Sequence, residues 1–208
     1  MTRGSVPLSD GELHDLYLNL HDQIEDLAGG PQELKRVLEI RRGRRPRNDD
    51  GYFEQLTWCV FKSGISAAVV NHKWPNFRRA FAAFSVTKVA AFGGRDVSRL
   101  VKDQGIIRYR AKIEATVQNA REMLAVQKEH GSFDRFAWQL VGAHPRKNAW
   151  RSVKEIPSRT AESDALSRAL KARGFTFVGS TICYAFMQAV GMVNDHVVTC
   201  FRYAELGG

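Results

Sequence analysis

Apolar residues recur at helical spacing along most of the chain, from Tyr52 onwards. The periodic segments span 52–70, 76–84, 86–92, 95–102, 106–128, 133–141, 161–173 and 181–193. Glycine and proline punctuate them, at positions such as Pro75, Gly105 and Pro157, where these residues favour turns and helix ends. We find no convincing alternation of apolar and polar residues of the kind that predicts a half-buried strand. The pattern therefore predicts an all-α fold, a compact multi-helix bundle.

The first fifty residues form a different kind of segment. They contain an amphipathic helix, whose apolar face would carry Leu13, Leu16, Tyr17, Leu20, Ile24 and Leu27. Five arginines then crowd into 41–47, where a proline and neighbouring glycines predict a loop. We therefore expect two units, an N-terminal helical extension with an Arg-rich linker over 1–50 and a helical domain over 51–208.

The composition is that of a globular protein with a strong excess of positive charge. Hydrophobic residues make up 44% of the 208 residues and charged residues 25%, which is ordinary for a chain with a substantial core. Lysine and arginine outnumber aspartate and glutamate by 31 to 22, so the formal net charge is +9. This excess favours a polyanionic partner, although it also serves simple solubility. The arginines of 41–47 would likewise either grip an anionic backbone or form a solvated linker.

The cysteines and the termini bear on where the protein works. Cys59, Cys183 and Cys200 do not form a paired framework, which is typical of a reducing compartment. The N-terminus is polar, and no apolar run approaches membrane-spanning length. We therefore expect a cytoplasmic protein that does not contact a membrane.

The most informative stretch lies between the last two long predicted helices. The first of these helices ends at Gly174, after basic residues that favour the negative end of the helix dipole. Gly179 lets another molecule approach the backbone closely, and Ser180 and Thr181 would cap the following helix. Backbone amides at such a helix start bind phosphate. An ordinary helix–turn–helix corner of a bundle is the alternative explanation of the same glycines.

Four stretches also carry a resemblance to a known family. They are GFTFVGSTICYAFMQAVGMVNDHVVTC (174–200), EIPSRTAESDALSRALKARGF (155–175), KVAAFGGRDVSRLVKDQGIIRYRAKIEATVQNA (88–120) and, more weakly, FEQLTWCVFKSGIS (53–66). In this order the chain resembles the 3-methyladenine DNA glycosylase I family, known as Tag, which belongs to the helix-hairpin-helix DNA glycosylases. The similarity spans roughly 53 to 200 and includes the hairpin.

The resemblance implies an enzyme of base excision repair. Such an enzyme flips an alkylated purine, such as 3-methyladenine, out of double-stranded DNA and releases it by hydrolysis. The substrate base is already cationic and its glycosidic bond is weak, so little acid catalysis is needed. The resemblance also implies that water is the nucleophile and that no Schiff base forms. We expect a monomer. A catalytically weak or inactive DNA-binding module on the same fold stays as the alternative.

Several site residues follow from the resemblance. The hairpin residues expected to contact a phosphate are Gly174, Phe175, Val178, Gly179, Ser180 and Thr181. Ile65 occupies the place of an apolar wedge that fills the gap left by the flipped base, with Lys62 facing the DNA; core packing is the alternative for Ile65. Asn194 and Asp195 match the family's Asn-Asp-His, and we nominate them for catalysis, with Asp195 stabilising positive charge. Hydrogen bonding at a helix end is the alternative for this pair.

The base pocket departs from the family. The family's pocket glutamate aligns with Cys59, which cannot accept a strong charge-assisted hydrogen bond, and a stacking tryptophan aligns with Ala67. We place Trp58, Cys59 and Phe61 at the pocket, where the two aromatic rings, together with Tyr52, would rebuild a stacking surface. Core packing is the alternative for both rings. Adjacent helical residues point about 100° apart, so only one of Trp58 and Cys59 need face the pocket.

The metal ligands of the family are only half present. The family ties its termini together with zinc, through two N-terminal and two C-terminal ligands. His196 and Cys200 match the C-terminal pair, whereas the N-terminal pair is absent and leaves His14 and His21 as the candidates there. Because structural zinc requires four well-placed ligands, we expect no metal and no other cofactor.

Overall fold

The computed structural model describes residues 43–207, without the side chain of Phe201. Its helices, in chain order, are α1 (Asp49–Lys62), α2 (Ala67–Ala80), α3 (Val86–Ala90), α4 (Gly94–Lys102), α5 (Arg110–His130), α6 (Phe133–Val141), α7 (Ala161–Ala172), α8 (Ser180–Ala189) and α9 (Phe201–Glu205). Two 3-10 turns (Ala82–Phe84 and Val153–Glu155) and two short strands, β1 (Arg146–Lys147) and β2 (Val193–Asn194), lie between them. The all-α prediction is confirmed.

Most of the predicted N-terminal extension lies outside the described residues. This applies to the amphipathic helix and to His14 and His21. The expected boundary between the two units, at residue 50, falls in the first turn of α1, which begins at Asp49. In the part of the chain that the structure describes, no helix is both long and apolar enough to cross a membrane.

The helix boundaries between 52 and 84 differ from the sequence prediction. The segment predicted as continuous over 52–70 is interrupted after α1, because Gly64 adopts a φ of +76°. Ser66 then caps α2 by accepting a hydrogen bond from the Val69 amide at 3.3 Å. Pro75, expected to separate two segments, lies inside α2. The result is a short loop between α1 and α2 that carries the predicted wedge residue.

Helix α1 is fixed along its whole length. Every residue from Tyr52 to Phe61 is buried, and the helix packs against α2, α3, α5, α6 and α8. Two carboxylates in its first turn also satisfy backbone amides of other elements: Asp49 accepts from Phe133 N at 2.8 Å, and Asp50 accepts from Val86 N at 2.8 Å. Because these amides open α6 and α3, α1 caps two other helices. The position of Trp58 and Lys62 near its C-terminus is therefore well determined.

Helices α7 and α8 pack against each other and flank the hairpin of residues 173–179. The Thr160 side chain caps α7, and Leu166 and Leu170 on its apolar face are fully buried. Cys183 of α8 is fully buried as well, and this burial raises the pKa of its thiol to about 12. This cysteine is a core residue that stays a thiol.

The two strands join segments that are far apart in the chain. β1 pairs with β2 in parallel, with Arg146 opposite Val193 and Lys147 opposite Asn194. Strands of two residues are too short to show the alternation from which a strand is predicted. Their pairing brings the segment after α6 alongside the segment after α8, which contains Asp195.

Candidate functional site

The hairpin between α7 and α8 is closed at its first end by hydrogen bonds within the chain. Gly174 adopts a φ of +87°, as its place after a helix predicts. Its amide donates to Lys171 O at 3.0 Å, and the Phe175 amide donates to Leu170 O at 3.1 Å. These two amides complete the end of α7 and have no hydrogen left for a ligand.

Three side chains hold the hairpin from the protein side. Asn119 of α5 binds Thr176 twice, accepting from its amide at 2.8 Å and donating to its carbonyl at 3.1 Å. Ser167 donates its hydroxyl to Val178 O at 2.6 Å, and the Cys183 thiol lies 3.4 Å from the same oxygen. The backbone of the hairpin is therefore fixed before any ligand arrives, which lowers the entropic cost of binding.

The second end of the hairpin leaves backbone amides open. Gly179 is the N-cap of α8 and supplies no side-chain cap, and Ser180 is already the first helical residue. The prediction that Ser180 and Thr181 cap this helix is therefore wrong. Among residues 43–207, no protein acceptor binds the amides of Gly179, Ser180 or Thr181, and a Cβ placed on Gly179 would meet no atom within 4 Å. Open amides at a helix start form an anion site.

The structure narrows the predicted phosphate contacts. Phe175 and Val178 are buried, with 3% and 1% of their surface exposed, so their side chains anchor the hairpin in the core. The amide of Gly174 is engaged at the end of α7. Of the residues predicted to contact a phosphate, Gly179, Ser180 and Thr181 have backbone amides that no acceptor within residues 43–207 binds.

The predicted wedge, Ile65, lies in the loop between α1 and α2. Its side chain is partly buried and packs against the hydrophobic core. The loop is held by Lys112 of α5, whose ammonium donates to Phe61 O at 3.2 Å and to Ser63 O at 2.6 Å. Burial lowers the pKa of Lys112. The partial exposure of Ile65 is compatible with both the wedge and the core interpretation.

A cavity of about 340 Å³ lies between α1, α8 and the segment after β2. Its polar lining comes from Gln55, Lys62, Gln188, Asp195 and His196. Trp58 contributes its indole ring, and Ala67, which the resemblance aligns with a stacking tryptophan, lines the cavity as well. A volume of this size is at the lower end of the range of small-molecule sites, about 300–1,000 Å³.

Of the three residues predicted at the base pocket, Trp58 lines this cavity and the other two do not. Cys59 and Phe61 are buried in the core, with 2% and 0% of their surface exposed. The Phe61 ring lies edge-on to Phe77, with 4.6 Å between centroids. The placement of Cys59 and Phe61 at this cavity is thus corrected. Cys59 is turned about 100° away from Trp58 along α1. Phe61 lies nearer the face of Trp58, but its ring is taken up by the packing against Phe77.

Gln55 is a cavity residue that the family alignment did not suggest. It lies three residues before Trp58 and seven before Lys62, and this spacing puts all three on one face of α1. The sequence shows this spacing, but it identifies Gln55 as a cavity residue only after Trp58 or Lys62 is known to face the cavity. Lys62 is exposed, and its ammonium lies 5.1 Å from the centroid of the Trp58 ring, a cation–π distance.

Asp195 lies in the cavity wall and is held by three side-chain donors. Its Oδ1 accepts from Asn148 Nδ2 and from Trp150 Nε1, both at 2.7 Å, and its Oδ2 accepts from Gln188 Nε2 at 2.9 Å. Burial alone raises the pKa of this carboxyl, but these donors and the nearby Tyr184 hydroxyl outweigh it and hold the pKa below its ordinary value. Asp195 therefore stays ionised inside the protein.

Asn194 has a structural role instead of facing the cavity. It is 5% exposed, its Oδ1 accepts from the His196 amide at 3.2 Å, and its Nδ2 donates to Tyr203 O at 3.2 Å. These bonds shape the turn after β2 and tie it to α9. These contacts favour the alternative of a hydrogen-bonding role for Asn194, and its part in catalysis beside Asp195 stays a prediction.

His196 and Cys200, which match the family's C-terminal zinc ligands, contact each other. His196 Nδ1 lies 3.6 Å from Cys200 Sγ. The pKa of the His196 imidazole is lowered, mainly because the ring is buried and to a smaller extent because of the positive charge of Arg202. Within the described part of the chain, no group of three or more His, Cys, Asp or Glu residues is placed to hold a metal ion. Two donors fall short of the four that structural zinc requires, so the described residues alone do not fit zinc.

The described part of the arginine run is partly engaged by the protein. Arg45 donates to Asp134 through Nε at 2.6 Å and through a terminal nitrogen at 2.5 Å, and its guanidinium lies 4.6 Å from the Trp138 ring centroid. Arg44 and Arg47 are exposed. One arginine of the run thus attaches the linker to α6, and neither predicted role describes it.

Comparisons with known proteins agree with this arrangement. The family model described as methyladenine glycosylase matches residues 40–203. The chain belongs to this family. DNA-3-methyladenine glycosylase 1 of Escherichia coli (strain K12) is 49% identical over 151 residues, which cover 73% of this chain and 81% of that relative.

Solved structures of family members superpose on most of the chain. The solution structure of a 3-methyladenine DNA glycosylase I is 39% identical, with a TM-score of 0.73 and coverage of 94% of this chain and 96% of that one. A structure on 3-methyladenine recognition by the Staphylococcus aureus enzyme is 27% identical, with a TM-score of 0.74 and coverage of 77% and 85%. The membership inferred from the residues is confirmed.

Proposed function

We propose that this protein is a DNA N-glycosylase of base excision repair. It flips alkylated purines such as 3-methyladenine out of double-stranded DNA and hydrolyses their glycosidic bond. The observation that carries the proposal is the cavity of about 340 Å³, which has an indole on one side and an ionised carboxylate on another. A relative from Staphylococcus aureus recognises 3-methyladenine on the same fold.

Helix α8 connects the two parts of the site. Its first residues carry the open amides of Gly179, Ser180 and Thr181, and its last turn gives Gln188 and Ala189 to the cavity. A helix of this length spans about 15 Å, so a strand held at the hairpin passes close to the cavity. The hairpin binds a phosphate without reading sequence, and the cavity selects the nucleotide.

The chemistry follows from the charges that the cavity presents. The cationic base stacks on Trp58, whose π face favours positive charge. The Asp195 carboxylate stabilises the positive charge that develops on the sugar as the glycosidic bond breaks, and water attacks the sugar carbon. The neutral base then leaves, which is why no strong general acid is required. We expect a cytoplasmic monomer that works without a cofactor, with Ile65 filling the gap in the duplex.

The test is release of free base from methylated genomic DNA by the wild type, Asp195→Asn and Ile65→Ala. We expect free 3-methyladenine above the uncatalysed background for the wild type. Loss of one preorganised electrostatic group lowers turnover about 10²- to 10³-fold, and we expect Asp195→Asn to fall in this range. Asp164→Asn, the same change on α7 at a residue outside the cavity, is the matched control.

Duplex binding and thermal unfolding are measured for each variant, because Asp195 is also a buried hydrogen-bond acceptor. A variant that folds and binds duplex but releases no base locates the defect in the chemical step. Release at background level by a wild type that binds duplex would contradict the enzymatic proposal. That result would leave the DNA-binding module on the same fold.

A further inference from the structure

The segment of residues 146–151, here called the rim segment, binds Asp195 of the cavity wall through two of its side chains. Its backbone is joined to the segment after α8 at three points: Arg146 N to Met192 O at 2.9 Å, Asn148 N to Asn194 O at 3.1 Å, and Val198 N to Trp150 O at 2.9 Å. None of the hypotheses drawn from the sequence used this segment. It lies directly behind Asp195 and supports that part of the cavity wall.

Side chains of the rim segment alternate between Asp195 and solvent. Asn148 and Trp150 turn inward and bind Asp195, each at 2.7 Å. Lys147 and Arg151, which flank them, are exposed on the outer side, as the alternation of an extended segment requires. Two cations are thus placed one residue away from the side chains that hold the cavity's carboxylate.

These two cations are not neutralised within residues 43–207. Their neighbour Arg146 pairs with Glu162, whereas the side chains of Lys147 and Arg151 have no carboxylate partner there. Glu155 accepts a hydrogen bond from the Arg151 backbone amide, not from its guanidinium. On the opposite side of the cavity, Lys62 of α1 is exposed as well. The cavity therefore has a negative interior, from Asp195, and a positive border.

We propose that Lys147 and Arg151 bind the phosphates that flank the nucleotide entering the cavity, as a second backbone contact independent of the hairpin. This rests on the proposed function. A nucleotide in the cavity keeps its own 5′ and 3′ phosphates outside it, and the exposed side of the rim segment lies next to Asp195 of the cavity wall. Arginine binds a phosphate through two parallel hydrogen bonds and lysine through a point charge. Phosphate contacts orient the strand without reading bases.

The test is the salt dependence of binding to a duplex that carries one abasic-site analogue. Each phosphate neutralised contributes about 0.9 to the slope of log affinity against log salt, so Lys147→Ala/Arg151→Ala is expected to reduce the slope by about 2. The charge-keeping double variant Lys147→Arg/Arg151→Lys should retain most of the slope. Both residues are exposed, and unfolding midpoints equal to the wild type's confirm that the fold is intact.

The matched control removes the same charge elsewhere. Lys88→Ala/Arg95→Ala changes two exposed cations on α3 and α4, helices that neither line the cavity nor bind Asp195 of its wall. We expect its slope to stay within the error of the wild type's. Equal slopes for the rim and control double variants would overturn the proposal.

Base release separates this inference from the proposed function. If the salt dependence of binding is weaker for the rim double variant than for the wild type, and the wild type releases no base, the rim contact stands and the enzymatic function fails. If the wild type releases base and the rim variant keeps its full slope, the function stands and the rim contact fails. A wild type that does not bind the duplex contradicts both.

Discussion

Replacing Gly179 by aspartate is expected to stabilise the fold and to weaken DNA binding at the same time. Gly179 is the N-cap of α8, with φ −64° and ψ 161°, a conformation that an aspartate cap adopts without strain. The amides behind it have no acceptor among the described residues. An aspartate there would accept from them and complement the helix dipole, which contributes about 0.3–1 kcal/mol to stability.

The same carboxylate would repel a phosphate bound at those amides. At a separation of about 5 Å and an effective dielectric constant of about 20–80, two unit charges repel by about 1–3 kcal/mol. This corresponds to a loss of roughly 5- to 150-fold in affinity, less at high salt. A Cβ at Gly179 meets no protein atom within 4 Å, so we expect no steric clash there to distort the hairpin.

The control is Gly179→Asn, which has the shape and capping ability of the aspartate without its charge. Affinity for a short duplex is measured at low and moderate salt, with thermal unfolding of the same samples. We expect both variants to unfold at or above the wild-type temperature, and the aspartate variant to bind more weakly than the asparagine variant. If both variants bind duplex as tightly as the wild type at low salt, the hairpin amides do not hold a phosphate.

Two further predictions concern the supports of the site. Gly174→Ala should lower the free energy of unfolding by about 1–2 kcal/mol, because φ is +87° and the new Cβ would lie 3.1 Å from a glutamate oxygen of α5; a urea titration that shows no loss would contradict this. Trp150→Phe removes one donor from Asp195 and should cost about 1.5–3 kcal/mol near neutral pH. Because the pKa of Asp195 is lowered in the folded state, this stabilisation is present above the ordinary carboxyl pKa of 3.8 and is lost as pH falls through the folded value. The deficit of Trp150→Phe should therefore shrink in acid, and a deficit independent of pH would show that the carboxylate's charge is not involved.

The features that the sequence predicted well are those that depend on local spacing. Periodicity predicts the all-α fold and the burial of Leu166 and Leu170. The conformational freedom of glycine predicts that α7 ends just before Gly174. The family resemblance located the hairpin and Asp195. Each of these signals lies within a few residues of the feature that it describes.

The features that were missed depend on contacts across the chain. The donors Asn148 and Trp150 are separated from Asp195 by 47 and 45 residues, and the two-residue strands that bring them together leave no pattern in the sequence. The choice between Trp58 and Cys59 as the cavity residue depends on how α1 is rotated against α8, which a single helical pattern does not fix. The role of Arg45 depends on Asp134, 89 residues away.

The central claim is that the amides at the start of α8 bind a phosphate of the strand whose nucleotide enters the cavity. Its most direct test is an NMR titration of backbone amides with a duplex that carries one abasic-site analogue. We predict the largest amide shifts at Gly179, Ser180 and Thr181, with a concurrent shift of the Trp58 indole. Saturable duplex binding that leaves these three amides unshifted would contradict the account.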